Sequence, residues 1–266
     1  MGELNELVSN LKEKQQVDAV FVTGSMAVSE NSTSSDIDLV VILEPSVVNI
    51  RSVYQLTDGV FTDIFFFDTN EIDDVKNNEK INASGFDGML VSWLQKADVK
   101  FDKSGKTTEA VLVAKTKSIQ IFENELNNRL NTISYDKLKC SRYFSSGKQD
   151  YLDALEIMLP NAVIGLLIGF LVLRNVPWRG EKLAVKYIKE NCIELYKLYF
   201  SFINSSSLNE RMDKYFKMID LALPGRCAIL DYKTPLALSR GNSTNEEIET
   251  LGRFWNELSS NHVPLK

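Results

Sequence analysis

Apolar residues recur along this chain at two different periods, and the change of period divides it. Leu4, Leu7, Val8 and Leu11 share one face at helical spacing, so residues 3–15 are expected to form an amphipathic helix. Val17 to Thr23 is a short β-branched run that stops at Gly24 and reads as a buried strand. Ser25 to Ser35 is small and polar and predicts a loop. Ile37 to Leu43 is a second strand, closed by Glu44-Pro45. Val47 to Leu56 reads as a helix, Thr57-Asp58-Gly59 as a turn, and Val60 to Phe67 as a third strand dense in Phe. Residues 68–82 predict a loop or a polar helix, and Gly85 to Gln95 a helix. Val99 to Asp102 makes a last short strand, turning at Lys103-Ser104-Gly105.

From Thr107 onward the pattern is helical throughout. Residues 108–133 lack breakers and predict one long helix. Residues 149–175, 180–203 and 208–222 predict three more, and 244–258 a final one, capped by Ser243-Thr244-Asn245-Glu246. The expected fold class is α+β: a mixed-sheet N-terminal domain over residues 1–106, then an all-α helical bundle over 107–266. The most apolar stretch, Asn161 to Val176, is shorter than the roughly 20 residues a membrane span needs. It is expected to be a core helix, with no membrane partner.

Composition refines this picture only where charge enters. Lys and Arg number 30 against 36 Asp and Glu, giving a net charge of −6. Binding to a polynucleotide backbone draws most of its affinity from basic residues. The acidic balance therefore argues against a nucleic-acid partner and suits a cationic or neutral small acceptor. Cys140, Cys192 and Cys227 are far apart and signal neither a disulfide framework nor a zinc site. Residues 1–16 carry no apolar signal segment, so a cytoplasmic location is expected. The single histidine, His262, argues against Ser-His-Asp hydrolysis and histidine-ligated zinc.

The remaining chemistry converges on phosphates and cations. Backbone N–H groups approach a triphosphate best at a glycine leading into small residues, and Thr23-Gly24-Ser25-Met26-Ala27 after a strand supplies that. Gly24 and Ser25 are thus candidate nucleotide-binding residues. Mg²⁺ takes oxygen ligands, usually one or two carboxylates plus phosphates and waters. Residues i and i+2 of a strand share a face, so Asp36 and Asp38 project together and can hold metal. Repulsion between two such carboxylates is offset by a bound cation. Asp63, in the middle of an apolar strand, is costly unless paired or metal-bound and is the candidate third ligand; Asp68 at the strand end is the alternative.

This ordered set, Gly24-Ser25, then Asp36-Ile37-Asp38, then a lone strand acid, resembles the polymerase-β-like nucleotidyltransferase superfamily. Val99 to Gly105 is similar to the closing strand and turn of such domains, and the helical tail is similar in architecture to antibiotic nucleotidyltransferases of the aminoglycoside-modifying kind. The resemblance implies a metal-dependent enzyme, with two Mg²⁺ ions and ATP or another nucleoside triphosphate. It would transfer a nucleoside monophosphate to a hydroxyl of a small molecule, an aminoglycoside-type antibiotic being one candidate, with release of pyrophosphate. Asp36, Asp38 and Asp63 would be the catalytic residues. A protein acceptor, as in toxin–antitoxin pairs, and an idle nucleotide-binding module are the other readings. In the helical half, Glu156 is a candidate base, Lys182 or Arg179 could reach the triphosphate, and Trp178 could stack on a ring.

Overall fold

The computed structural model describes residues 2–24, 36–45, 50–224, 250 and 253. The chain divides into two compact units, Met1–Gln120 and Ile121–Lys266.

The first unit opens with helix α1 (Gly2–Lys12), then strands β1 (Val17–Thr23), β2 (Ile37–Leu43), β3 (Ser52–Thr57) and β4 (Val60–Asp68). Helix α2 (Thr69–Asn77), the short strand β5 (Ile81–Asn82) and helix α3 (Phe86–Leu94) follow. Strand β6 (Asp98–Asp102), helix α4 (Lys106–Ala114) and the two-residue β7 (Ile119–Gln120) complete it. Five strands form one mixed sheet in the order β3-β4-β2-β1-β6, with β2 parallel to β4 and the other pairs antiparallel.

Every residue of β1 is buried, because both faces of the sheet are covered. On one face Val20, Val22, Leu39, Val41 and Ile64 pack against the apolar stripe of α1. On the other, Phe21, Val40, Ile42 and Phe67 pack against α2, α3 and α4. At Gly88 in α3 a Cβ would meet Asn82 O at 2.3 Å and Ala83 Cα at 2.7 Å, so only glycine lets this helix cross the β5 backbone so closely.

The second unit runs α5 (Glu123–Ser146), α6 (Gln149–Val172), α7 (Glu181–Asn191), α8 (Ile193–Ile203) and α9 (Leu208–Ala222). Its core joins Leu130, Ile133 and Cys140 of α5 to Leu155, Leu159, Val163, Leu166 and Phe170 of α6, and these to Ile188, Leu195, Tyr215 and Ile219. Helix α6 starts where expected and stops three residues short of the expected end. By length and composition it passes for a membrane span, and 56% of its apolar window is buried within the unit. The architecture is α+β, a mixed sheet with helices followed by a run of helices.

Three expectations fail. The helix expected over 47–56 is in its described part the strand β3. Asp58 (φ 52°) and Gly59 (φ 74°) form the tight turn of a β3–β4 hairpin, and pairing across it overrides the weak helical spacing. The helix expected over 108–133 is two helices. Lys117-Ser118-Ile119-Gln120 leaves the helical path, Gln120 O accepts Ala83 N–H, and Gln95 Nε2 donates to Ala114 O at the end of α4. The helix expected over 180–203 breaks at Cys192 (φ −153°, ψ 72°). The final helix expected over 244–258 lies almost wholly outside the described residues.

Candidate active site

The end of β1, the start of β2 and the first half of β4 lie side by side in the sheet. Thr23 is register partner to Asp38, and Asp38 to Asp63 in the parallel β2–β4 pair. Strand alternation gives Asp38 the face of Val40 and Ile42, and Asp63 the face of Phe65 and Phe67. Both carboxylates therefore stand on the face covered by α2, α3 and α4.

The charges of these acids act on one another. Burial, then the charges of Asp36 and Asp63, push the Asp38 carboxyl up to about 6. Asp63 is raised by burial and by the charge of Asp36. One oxygen of Asp63, Oδ1, is buried with no hydrogen-bond partner among the described residues. An orphaned carboxylate oxygen is costly to bury, and a cation satisfies it. Among the described residues no three His, Cys, Asp or Glu side chains are drawn tightly enough together to hold a metal ion. Carboxylates of like charge repel, and that repulsion is what a bound cation offsets. The donor set, all oxygen and all anionic, fits a hard divalent cation such as Mg²⁺.

Gly24 closes the site on the β1 side. Its φ of +72° is in the left-handed region, and a Cβ there would lie 2.1 Å from Oδ2 of Asp38. The glycine is thus required twice, once by the turn and once by the carboxylate that occupies the space of its missing side chain. Thr23, buried beside it, donates from Oγ1 to Trp93 O at 3.1 Å. This bond ties the turn to α3. Trp93 in turn packs on Phe65, two residues along from Asp63, with ring centroids 4.5 Å apart.

Asp68, the alternative third acid, has a different task. It caps α2, with Oδ1 accepting the N–H groups of Asn70 and Glu71 while Glu71 accepts the Asp68 N–H. Asp102 similarly accepts from Gly105 N–H and from Thr108 N–H and Oγ1, holding the start of α4. Sequence reading passed over the buried Asp18, whose carboxylate accepts Ser104 N–H and Oγ–H in the closing turn; a lone acid inside a β-branched strand was the available signal.

Ser25 lies outside the described residues. Lys182 is in the second unit, exposed on the first turn of α7. Glu156 is ion-paired with Arg211 across the second unit. Arg179 is half-buried, its guanidinium lowered by burial, and donates from Nη1 to Trp178 O.

With this geometry in place, comparison with known proteins gives one family. Residues 5–84 match the model of the polymerase beta nucleotidyltransferase domain. That span holds β1 to β4 and all three acids. No curated protein matches the sequence. Among solved structures, a nucleotidyltransferase-like protein from Exiguobacterium sibiricum 255-15 is similar at 13% identity, over 83% of this chain and 73% of that one, with a TM-score of 0.42.

Proposed function

We propose that this nucleotidyltransferase, whose domain of the polymerase beta kind spans residues 5–84, moves a nucleoside monophosphate from a nucleoside triphosphate to a hydroxyl of a small molecule. ATP is the first donor to test, and aminoglycoside-type compounds are the first acceptors. The observation that supports the reading is the pairing of Asp38 with Asp63 on one sheet face, with Asp36 close enough for its charge to raise both, Asp63 Oδ1 unsatisfied among the described residues, and Gly24 moulded around Asp38.

In the reaction an acceptor oxygen forms a bond to the α-phosphorus. The bond from that phosphorus to the β-phosphate bridging oxygen breaks, and pyrophosphate leaves with the electron pair. Gly24 lets the backbone approach the phosphates without a side chain in the way. Asp36, Asp38 and Asp63 would hold the divalent cations, two Mg²⁺ ions in this reading. When bound, such ions neutralise the triphosphate and make the acceptor hydroxyl more acidic. In this reading Asp63 takes the hydroxyl proton, with Glu156 the alternative base. The net charge of −6 favours a small acceptor over a polynucleotide.

The test is Mg²⁺-dependent pyrophosphate release with each of the four nucleoside triphosphates against a panel of aminoglycosides and other hydroxyl compounds, with Asp38→Asn as the blank. Release that needs one acceptor and vanishes in the variant supports the reading. Release undiminished by Asp38→Asn overturns it.

A further inference from the structure

Beyond the acids, the edge of the same sheet face carries an apolar surface on the β3–β4 hairpin. Tyr54 is 59% exposed, Leu56 68% and Phe61 52%. Large apolar side chains this exposed, clustered on one edge, mark a binding surface more often than scattered ones do. Their arrangement is ordered. Tyr54 is register partner to Asp63, and Leu56 to Phe61. Alternation then places Tyr54, Leu56, Phe61 and Asp63 on one face. The Tyr54 and Phe61 rings are stacked, with centroids 6.3 Å apart and planes 9° from parallel. Ser52 Oγ donates to the Tyr54 hydroxyl at 3.1 Å, which holds the phenol end of the wall.

Sheet order says what this wall faces. Across the order β3-β4-β2-β1, Asp63 lies between Tyr54 on one side and Asp38 with Gly24 on the other. In nucleotidyl transfer the entering oxygen and the leaving pyrophosphate are in line, on opposite sides of the α-phosphorus. If the phosphates lie at Gly24, the entering oxygen comes from the β3–β4 side. We infer that the stacked Tyr54–Phe61 pair, with Leu56, is the acceptor platform: it holds an apolar ring face of the molecule whose hydroxyl is presented to Asp63. A flat aromatic wall suits a planar ring or the C–H face of a sugar. The inference rests on the nucleotidyltransferase reading and adds the chemistry of its second substrate.

The test uses the full chain and three probes, phenyl, 4-nitrophenyl and 2-naphthyl β-D-glucopyranoside, followed by saturation-transfer NMR and titration. MgATP binding is measured calorimetrically on the same samples. The native protein is expected to bind the glycosides more tightly as the aryl ring grows. The Tyr54→Ala/Phe61→Ala double variant is expected to bind them about tenfold more weakly, with MgATP affinity kept within about twofold. Tyr54→Phe should retain binding, and Leu56→Ser should lose a smaller part of it, which keeps the test decisive if the double variant folds poorly. Absence of glycoside binding to the native protein, or equal binding by the double variant, overturns the proposal. So does a matching loss of MgATP affinity, which would assign the wall to the nucleobase. A native dimer that becomes monomeric in the double variant would assign it to a second copy. Failure of the native protein to bind any nucleoside triphosphate is a separate result and counts against the enzymatic reading instead.

Discussion

The two units pair most of their charges alike and differ at the acids of β2 and β4. In the helical unit Glu156 pairs with Arg211, Lys214 with Glu210 and Lys217 with Asp213, each acid beside a base. In the sheet unit the outlying acids are likewise compensated: Asp73 binds Lys76 and Lys106, and both hydrogen bonds hold its carboxyl low. At the start of β2 and in the first half of β4 the opposite holds. Asp38 and Asp63 are raised, by burial first and by other acids second. A paired acid stabilises the fold modestly. Acids grouped without a base cost stability, and such clusters mark function when they line a site.

The largest test of that contrast is catalytic. Asp38→Asn keeps the size of the side chain and removes its charge, so pyrophosphate release should fall about a thousandfold, roughly 4 kcal/mol of barrier. Retained turnover would make the cluster structural after all. Gly24→Ala should follow, with a loss on the order of a hundredfold, since the new Cβ must displace Asp38 from its position. Far-UV circular dichroism would separate this from unfolding.

A third experiment reads the cost of the cluster directly. The folded protein holds the Asp38 proton up to about pH 6, against 3.8 for the ordinary carboxyl. The folded state thus binds more protons than the unfolded chain between these values. Stability from this group is full below about pH 4 and is lost as pH rises through about 6. In EDTA, Asp38→Asn should gain on the native protein across this window, reaching on the order of 2 kcal/mol at pH 7. Mg²⁺ should raise the native melting temperature at pH 7 and much less at pH 4. A difference that is flat with pH would deny the cluster its cost. The smallest effect belongs to the paired acid. Glu156→Gln should change turnover by less than about twofold and stability by less than about 1 kcal/mol. A large loss of turnover would make Glu156 the base and erase the distinction between the units.

Much of the sheet unit was legible in the sequence because its strands are buried on both faces. Strands β1 and β2 have the expected bounds, and β4 runs one residue further, since continuous β-branched runs leave little choice. The pairing that brings Asp38 beside Asp63 follows from parallel register, which no local spacing encodes. For the same reason Tyr54 and Phe61 attracted no notice as a pair. Strand β3 reads as a helix in the sequence because its half-exposed pattern fits either period until the Asp58-Gly59 turn pairs it with β4. In the helical unit the core stripes are plain, while the break at Cys192 has neither a proline nor a glycine to announce it.

Trp93 gives the site a native optical probe. Its ring leans on Phe65 beside the acid cluster, and its carbonyl holds Thr23 next to Gly24. Whatever shifts the turn or the strand on filling the site also shifts the surroundings of this indole. The chain has two other tryptophans, Trp178 and Trp255. With both replaced by Phe, the emission of Trp93 alone would follow nucleotide and metal arrival in real time, without a label and without knowledge of the acceptor.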